Sequence, residues 1–184
     1  MRRRDFLVSC SCASFAAVTA GPARAADSPA RIATEGRRWL ELFNTHTGER
    51  LSLAFRDASG LINTALSRLE WVFRDHRANE SHPIDAPLFD WLADLADAAG
   101  AEPRYEIISG YRSPATNEQL AAAGRGVARG SMHMQGRAID VRMKGLSTAK
   151  LRDLALAAPL GGVGFYARSN FVHLDTGRVR HWSG

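Results

Sequence analysis

His133 and Asp140 lie seven residues apart, and Phe171-Val172-His173-Leu174-Asp175 supplies another imidazole in a short apolar run. Two imidazoles and a carboxylate can hold Zn²⁺ and leave a fourth position for water, as a catalytic zinc site requires. Such a site polarises a carbonyl and lowers the pKa of its bound water towards ~7. Spacing alone is weak, because a chain with six His offers some such combination anyway. Taken pair by pair, the plainer account is separate polar side chains, with Asp140 paired to Arg142 or Arg137. Arg112 shifts the balance. It sits behind Gly110 at the exit of a short β run, where a guanidinium could clamp a carboxylate through two parallel hydrogen bonds. Alone, Arg112 reads more simply as a surface residue in a helix-entry turn.

The elements that must position these groups follow from periodicity. Residues 137–143 alternate as a strand, with Ile139, Val141 and Met143 on one face and Ala138, Asp140 and Arg142 on the other. Tyr105–Ile108 is a β run that delivers Ser109-Gly110-Tyr111-Arg112 to a loop, and Ser113-Pro114 then starts a helix to about Ala123. Gly124–Gly130 reads as a loop, with Arg125 and Arg129 in it. Upstream, Trp39–Leu42 and Leu51–Phe55 flank the turn-rich Asn44–Glu49 as a hairpin, with His46 solvated at its tip. Ile62, Leu66, Leu69 and Phe73 mark an amphipathic helix that runs into a charged exit at Arg74-Asp75-His76-Arg77. Asp85 is placed to cap the next helix, with Pro87 in its first turn, Leu88, Trp91, Leu92 and Leu95 buried, and Gly100 at C′. His76 and His82 read as surface residues. Ser147 caps a helix with Leu151, Leu154 and Ala158 inward. Val163–Tyr166, Phe171–Thr176 and Val179–Trp182 complete a sheet, and Gly162-Val163-Gly164 reads as a strand turn rather than a nucleotide loop. The class is α+β: one domain with a small antiparallel sheet and flanking helices.

The N-terminal segment is read apart from the fold. Arg3-Arg4-Asp5-Phe6-Leu7 is a twin-arginine pattern, an apolar run follows to Ala20, and Ala23-Arg24-Ala25 resembles a cleavage site. Leu7-Val8-Ser9-Cys10 resembles a lipobox, but most of the apolar run comes after the Cys. The run is too short and too polar to span a bilayer. The expected division is therefore a signal over 1–25, a tether over 26–37 and one domain over 38–184. Losing Arg2, Arg3, Arg4, Arg24 and Asp5 takes the net charge from +5 to +2, so the basic whole-chain balance gives no support to nucleic-acid binding. Cys10 and Cys12 leave too, so any metal must use His, Asp or Glu.

Larger motifs carry a family resemblance. Ser131-x-His133-x-x-Gly136-x-Ala138-x-Asp140 with the later His173 resembles the signature of the zinc peptidases of the lysostaphin, D-Ala-D-Ala and hedgehog superfamily. More narrowly, Asn44–Glu49, Ser109–Pro114 with Asn117, Gly161–Tyr166 and Phe171–Gly177 are similar to the YcbK-like (murein endopeptidase K-like) branch. The resemblance covers about Trp39 to Trp182. It implies zinc held by His133, Asp140 and His173, with Arg112 and Ser131 binding the substrate's carboxylate or carbonyl. Ser131 has an alternative as a turn residue capping the His133 loop, and Gln135 lies near the site without a role.

One departure concerns the general base. Many relatives carry Glu or His two or three residues before the last His, where this chain has Phe171 and Asn170. Asp175 shares a strand face with His173, so it is either the base or a carboxylate that orients an imidazole. His181 is a further candidate, more simply a surface residue. The expected function is a periplasmic zinc endopeptidase, exported by the twin-arginine route, that cuts peptidoglycan cross-links between meso-diaminopimelate residues. A D-Ala–diaminopimelate cut or carboxypeptidase trimming is less favoured. The missing base motivates the alternative, a catalytically inactive, zinc-stabilised module that binds murein or a partner.

Overall fold

The computed structural model describes residues 36–124 and 128–184. The signal over 1–25, nearly all of the 26–37 tether and Arg125 lie outside the described residues. Four helices and one eight-stranded sheet make up the described chain, as the α+β reading expects.

The chain opens with β1 (Arg38–Asn44) and β2 (Arg50–Asp57), the predicted hairpin, whose tip places Gly48 at φ +74°. Buried Asn44 builds that turn: its Oδ1 accepts from His46 N (2.9 Å) and Thr47 N (3.1 Å). A short β3 (Gly60–Leu61) pairs with β2 before α1 (Asn63–Val72) and α2 (Pro87–Ala99). β4 (Arg104–Ser109) then leads to α3 (Pro114–Ala122), where Ser113 Oγ accepts from Thr116 N as the sequence predicts. A 3₁₀ turn over Met132–Gln135 precedes β5 (Ala138–Met143), and Ser147 caps α4 (Thr148–Ala157). β6 (Gly162–Tyr166), β7 (Phe171–Asp175) and β8 (Arg180–Ser183) close the chain.

The strand order is β3-β2-β1-β4-β5-β7-β6-β8. The sheet is mixed rather than wholly antiparallel. β1 and β4 are parallel because α1 and α2 carry the chain back between them, and β8 lies parallel to β6 on the side away from β7. Alternation sorts the strands into two faces. Leu40, Leu42, Ile107, Ile139, Val141, Val172 and Leu174 are buried with Leu69, Leu88, Leu92 and Leu151 of the helices. Each such side chain contributes about 1.5–3 kcal/mol by burial. Asp140, His173 and Asp175 alternate with these residues and so lie on the other face.

Three local expectations change. Asp85 does not cap α2: Ala86 is the cap residue and makes no side-chain bond. Asp85 Oδ2 instead accepts from Thr176 Oγ1, and its backbone N donates to Gly136 O (2.9 Å), tying α2's entry to the turn before β5. Ala158 is exposed, because Pro159 disfavours helical geometry at the preceding residue and α4 stops at Ala157; Ala155 takes the buried place. Gly162 and Gly164 lie within β6 rather than in a turn. A Cβ on Gly164 would stand 2.6 Å from the Trp182 indole, so the missing side chain is what lets β8 lay Trp182 across this strand.

Asp75, which the sequence suggests is part of a charged helix exit, is 2% exposed. Its Oδ2 accepts from Ser113 N and Ser113 Oγ, both at 2.9 Å, and its Oδ1 from Arg77 N at 2.9 Å. It thereby pins the loop that carries Arg112. Burial alone would raise its pKa, but the hydrogen bonds from Thr116 and Ser113 outweigh it and lower the value from 3.8 to about 2. A depressed carboxylate stabilises the fold fully above its unfolded value and loses that contribution as pH falls through its folded value. Urea unfolding should therefore show wild-type stability declining between pH 4 and pH 2. Asp75→Ala should cost roughly 2–4 kcal/mol at pH 7, by leaving the Ser113 N–H buried without a partner and removing the acceptor for Arg77 N, and should flatten that decline.

Candidate metal and substrate site

Asp140 and His173 are register partners on adjacent antiparallel strands, so their Cα atoms sit directly across the β5–β7 ladder. His133 arrives from the 3₁₀ turn, which ends at Gly136 with φ +64°. At that glycine a Cβ would also run into the Pro83 carbonyl, so the turn that presents His133 requires a residue without one. Asp140 Oδ1 lies 2.8 Å from His173 Nδ1 and 3.3 Å from His133 Nε2, and the two ring nitrogens are 3.2 Å apart. All three residues are buried and form a candidate metal site. Asp140 pairs with neither arginine that the plainer sequence account offered. Arg142 instead forms an ion pair with Glu106 and Arg137 lies by Asp85.

The second nitrogen of each ring fixes its tautomer. His133 Nδ1 lies 2.7 Å from the Gly110 carbonyl and donates to it, leaving Nε2 as a lone pair. His173 Nε2 lies 3.0 Å from Asp175 Oδ2 and donates there, leaving Nδ1 as a lone pair. The neutral tautomers thus point three acceptors at one another with no proton between them. That donor set fits a divalent cation, with the outer partners that histidine ligands ordinarily have. In a metal-free chain a proton substitutes. Burial opposes charge on His173, but the hydrogen bonds to Asp140 and Asp175 outweigh it and raise the ring to about 9. Burial likewise opposes charge on Asp140, yet both histidines hold it well below the usual carboxylate range.

Asp175 is fully buried behind His173. Besides that ring it binds Arg180 through both oxygens (2.9 and 2.7 Å) and accepts from Gly177 N (2.8 Å). Burial would raise its pKa, but His173 and Arg180 keep it strongly depressed. Of the two roles open to it in the sequence, this position suits orienting the imidazole.

A cleft of about 510 Å³ opens over the three donors. Arg112 and Ser131 line it, as expected. Arg112 is 9% exposed, has one side-chain partner, Asn117 Oδ1 at 3.3 Å, and no carboxylate within ion-pair distance among the described residues. Burial pulls its guanidinium below the ordinary value, and the charge of Asp140 opposes that shift. A buried cation with unused donors facing a cleft can receive an anion. Ser131 begins the 3₁₀ turn without capping it through its side chain, and its hydroxyl has no partner among the described residues. Ala128 and Gly130 of the expected loop border the opening, whereas exposed Arg129 faces a neighbouring groove. Gln135 and His181 are exposed and line no part of the cleft. His46 and His76, both expected to be solvated, stack face to face at 4.1 Å.

Tyr166, Arg180 and Trp182 also line the cleft, and nothing in their local sequence marks them as site residues. The one usable signal is strand periodicity: Tyr166 falls two residues from Gly164, hence on the site face of β6.

The family model described as Peptidoglycan L,D-endopeptidase MepK matches residues 32–182. The proteins named Peptidoglycan L,D-endopeptidase MepK in Escherichia coli (strain K12) and Shigella flexneri are each 43% identical to this chain over 180 residues, covering 98% of it and 96% of theirs. The Haemophilus influenzae protein named Probable peptidoglycan L,D-endopeptidase MepK is 40% identical over 156 residues, 84% of each chain. No solved structure matches the chain significantly.

Titration calorimetry on the metal-stripped protein should find one divalent ion bound per chain and none in His173→Ala. Asp175→Asn keeps all three donors but weakens the hold on His173, and should lower affinity by about 10–100-fold. Unchanged affinity in Asp175→Asn would show that the carboxylate does not orient the ring.

Proposed function

The chain belongs to the peptidoglycan L,D-endopeptidase MepK family, and on that premise we propose the bond it cuts and the side chains that serve the cut. It is a peptidoglycan endopeptidase that cleaves cross-links in murein. The favoured bond joins two cross-linked meso-diaminopimelate residues. The relatives' name specifies an L,D link, and a bond from the L-centre carboxyl of one diaminopimelate to the D-centre amine of the next has that stereochemistry. A D-Ala–diaminopimelate link has D centres on both sides and is disfavoured.

The observation that carries the mechanism is the convergence of two ring nitrogens and a carboxylate oxygen, all within 3.3 Å of one another. Two imidazoles and a carboxylate suit Zn²⁺, held by His133, Asp140 and His173. When bound, the ion supplies Lewis-acid polarisation of the scissile carbonyl. Arg112 fixes an anionic group of the stem peptide and so sets the register of the substrate in the cleft. Ser131 adds a hydroxyl to the same carboxylate or to a neighbouring carbonyl. Asp175 contributes through His173: it holds the ring in the tautomer that turns Nδ1 to the cleft, and Arg180 keeps it ionised. The burial of Asp175 and its contacts with Arg180, Gly177 and His173 support this indirect part over direct proton transfer with substrate.

Export to the periplasm by the twin-arginine route completes the reading. It is supported by Arg3-Arg4 ahead of the apolar run and by a substrate that lies outside the cytoplasmic membrane. Among the described residues no helix is long and apolar enough to cross a membrane.

Incubating the zinc-loaded protein with isolated sacculi and weighing the released muropeptides tests the assignment. Loss of the diaminopimelate–diaminopimelate dimers, with D-Ala–diaminopimelate dimers left intact and no change with His133→Ala, is the expected outcome. Intact dimers with the ion still bound would favour a murein-binding module instead. Arg112→Ala should lower kcat/KM by about 30- to 150-fold, the loss of roughly 2–3 kcal/mol of charge-assisted hydrogen bonding.

A further inference from the structure

Apart from the three donors, the ionisable groups that line the cleft among the described residues are Arg112, Arg180 and Tyr166. Arg180 is taken up by Asp175, which it binds through both terminal nitrogens. Arg112 is committed to an anion by its burial and unused donors. Tyr166 is different: its phenol is held in place by neighbours that leave its proton free.

Two contacts hold the ring. It stacks on Phe171, its register partner across the β6–β7 ladder, at 4.6 Å between centroids and 19° between planes. Trp182 Nε1 donates to Tyr166 Oη at 3.0 Å. An indole N–H can only donate, so it occupies an acceptor position on the phenol oxygen and leaves the phenol O–H to be given elsewhere. No acceptor for that O–H lies within hydrogen-bond distance among the described residues. Trp182 is itself anchored: its indole lies across Gly164, its ring centroid is 5.2 Å from that of His173, and the Arg180 guanidinium sits 4.9 Å over it. Gly164 is in turn the register partner of His173. The chain Gly164–Trp182–Tyr166 thus fixes a donor on the same sheet face as the His173 donor, two residues further along β6.

We propose that Tyr166 is a catalytic residue that donates its O–H hydrogen bond to the scissile carbonyl oxygen as that oxygen gains negative charge, with Trp182 as the positioning residue that aims it. The inference rests on the endopeptidase reading. No proton changes owner in this role: the phenol stays protonated and the hydrogen bond strengthens as charge develops, so it lowers the barrier rather than binding the ground state.

The test uses the zinc-loaded protein, a purified diaminopimelate-linked muropeptide dimer, and a phosphinate analogue of its tetrahedral transition state. Tyr166→Phe keeps the stack on Phe171 and removes only the hydroxyl. It should lower kcat by about 10²-fold, the usual effect of deleting one such donor, with KM, zinc stoichiometry and melting temperature unchanged. The phosphinate should bind the variant more weakly by a similar factor, while the cleaved tripeptide product binds both proteins alike. Trp182→Phe should lower kcat by a smaller factor in wild-type background and by nothing further when added to Tyr166→Phe. A Tyr166→Phe protein with kcat within twofold of wild type overturns the inference, as does a loss of activity matched by loss of zinc or by a raised KM alone. A wild-type protein that leaves the dimer intact overturns the endopeptidase reading, and this inference with it.

Discussion

Two nitrogen lone pairs and a carboxylate oxygen packed within 3.3 Å of one another repel unless a positive charge sits among them. The surrounding structure exists to enforce that arrangement. The Gly110 carbonyl and the Asp175 carboxylate take the other nitrogens of the two rings, so neither imidazole relieves the repulsion by changing tautomer. A third device keeps Asp175 charged: two hydrogen bonds from Arg180 and one from Gly177 N. A proton and a metal ion would therefore compete for one place, and metal binding there would release a proton.

The sheet supplies the rigidity this needs. Asp140 and His173 face each other across one ladder, so their separation is set by strand spacing and not by a loop. The opposite face of the same strands is buried with α1, α2 and α4, which fixes the register: a slip by one residue would send Ile139 and Leu174 to the cleft and Asp140 and His173 into the core. Further cleft-lining groups come from loops tied to that frame. Arg112 is placed by Asp75 through Ser113, and His133 by a turn closed on Gly136.

How much of this is legible in the sequence depends on whether the cause is local. Period-2 alternation by itself puts Asp140 opposite Ile139 and Val141, and puts Asp175 on the face of His173. Ser113-Pro114 and Ser147 announce their helices because capping is decided within four residues. The parallel pairings of β1 with β4 and β6 with β8 are not legible, since strand order is settled by packing between distant segments. For the same reason Asp75 reads as a solvated charge until Ser113 is brought to it. Arg180 and Trp182 become site residues only when β8 pairs beside β6, whereas Tyr166 is placed by the alternation of β6 itself. The glycines of β6 are visible in the sequence, but the reason for them is the indole that lies over Gly164. Asp85 shows the opposite error: a good capping residue at the right position is drawn off by Thr176, a partner 91 residues away.

The most direct measurement is of the ring nitrogens themselves. The chain has six histidines, few enough to resolve by two-dimensional ¹⁵N–¹H correlation of the imidazoles in the zinc-loaded protein. The account predicts opposite tautomers: His133 protonated at Nδ1 and coordinating through Nε2, and His173 protonated at Nε2 and coordinating through Nδ1. Two rings coordinating through the same nitrogen, or a His173 whose shifts do not respond to zinc, would contradict it.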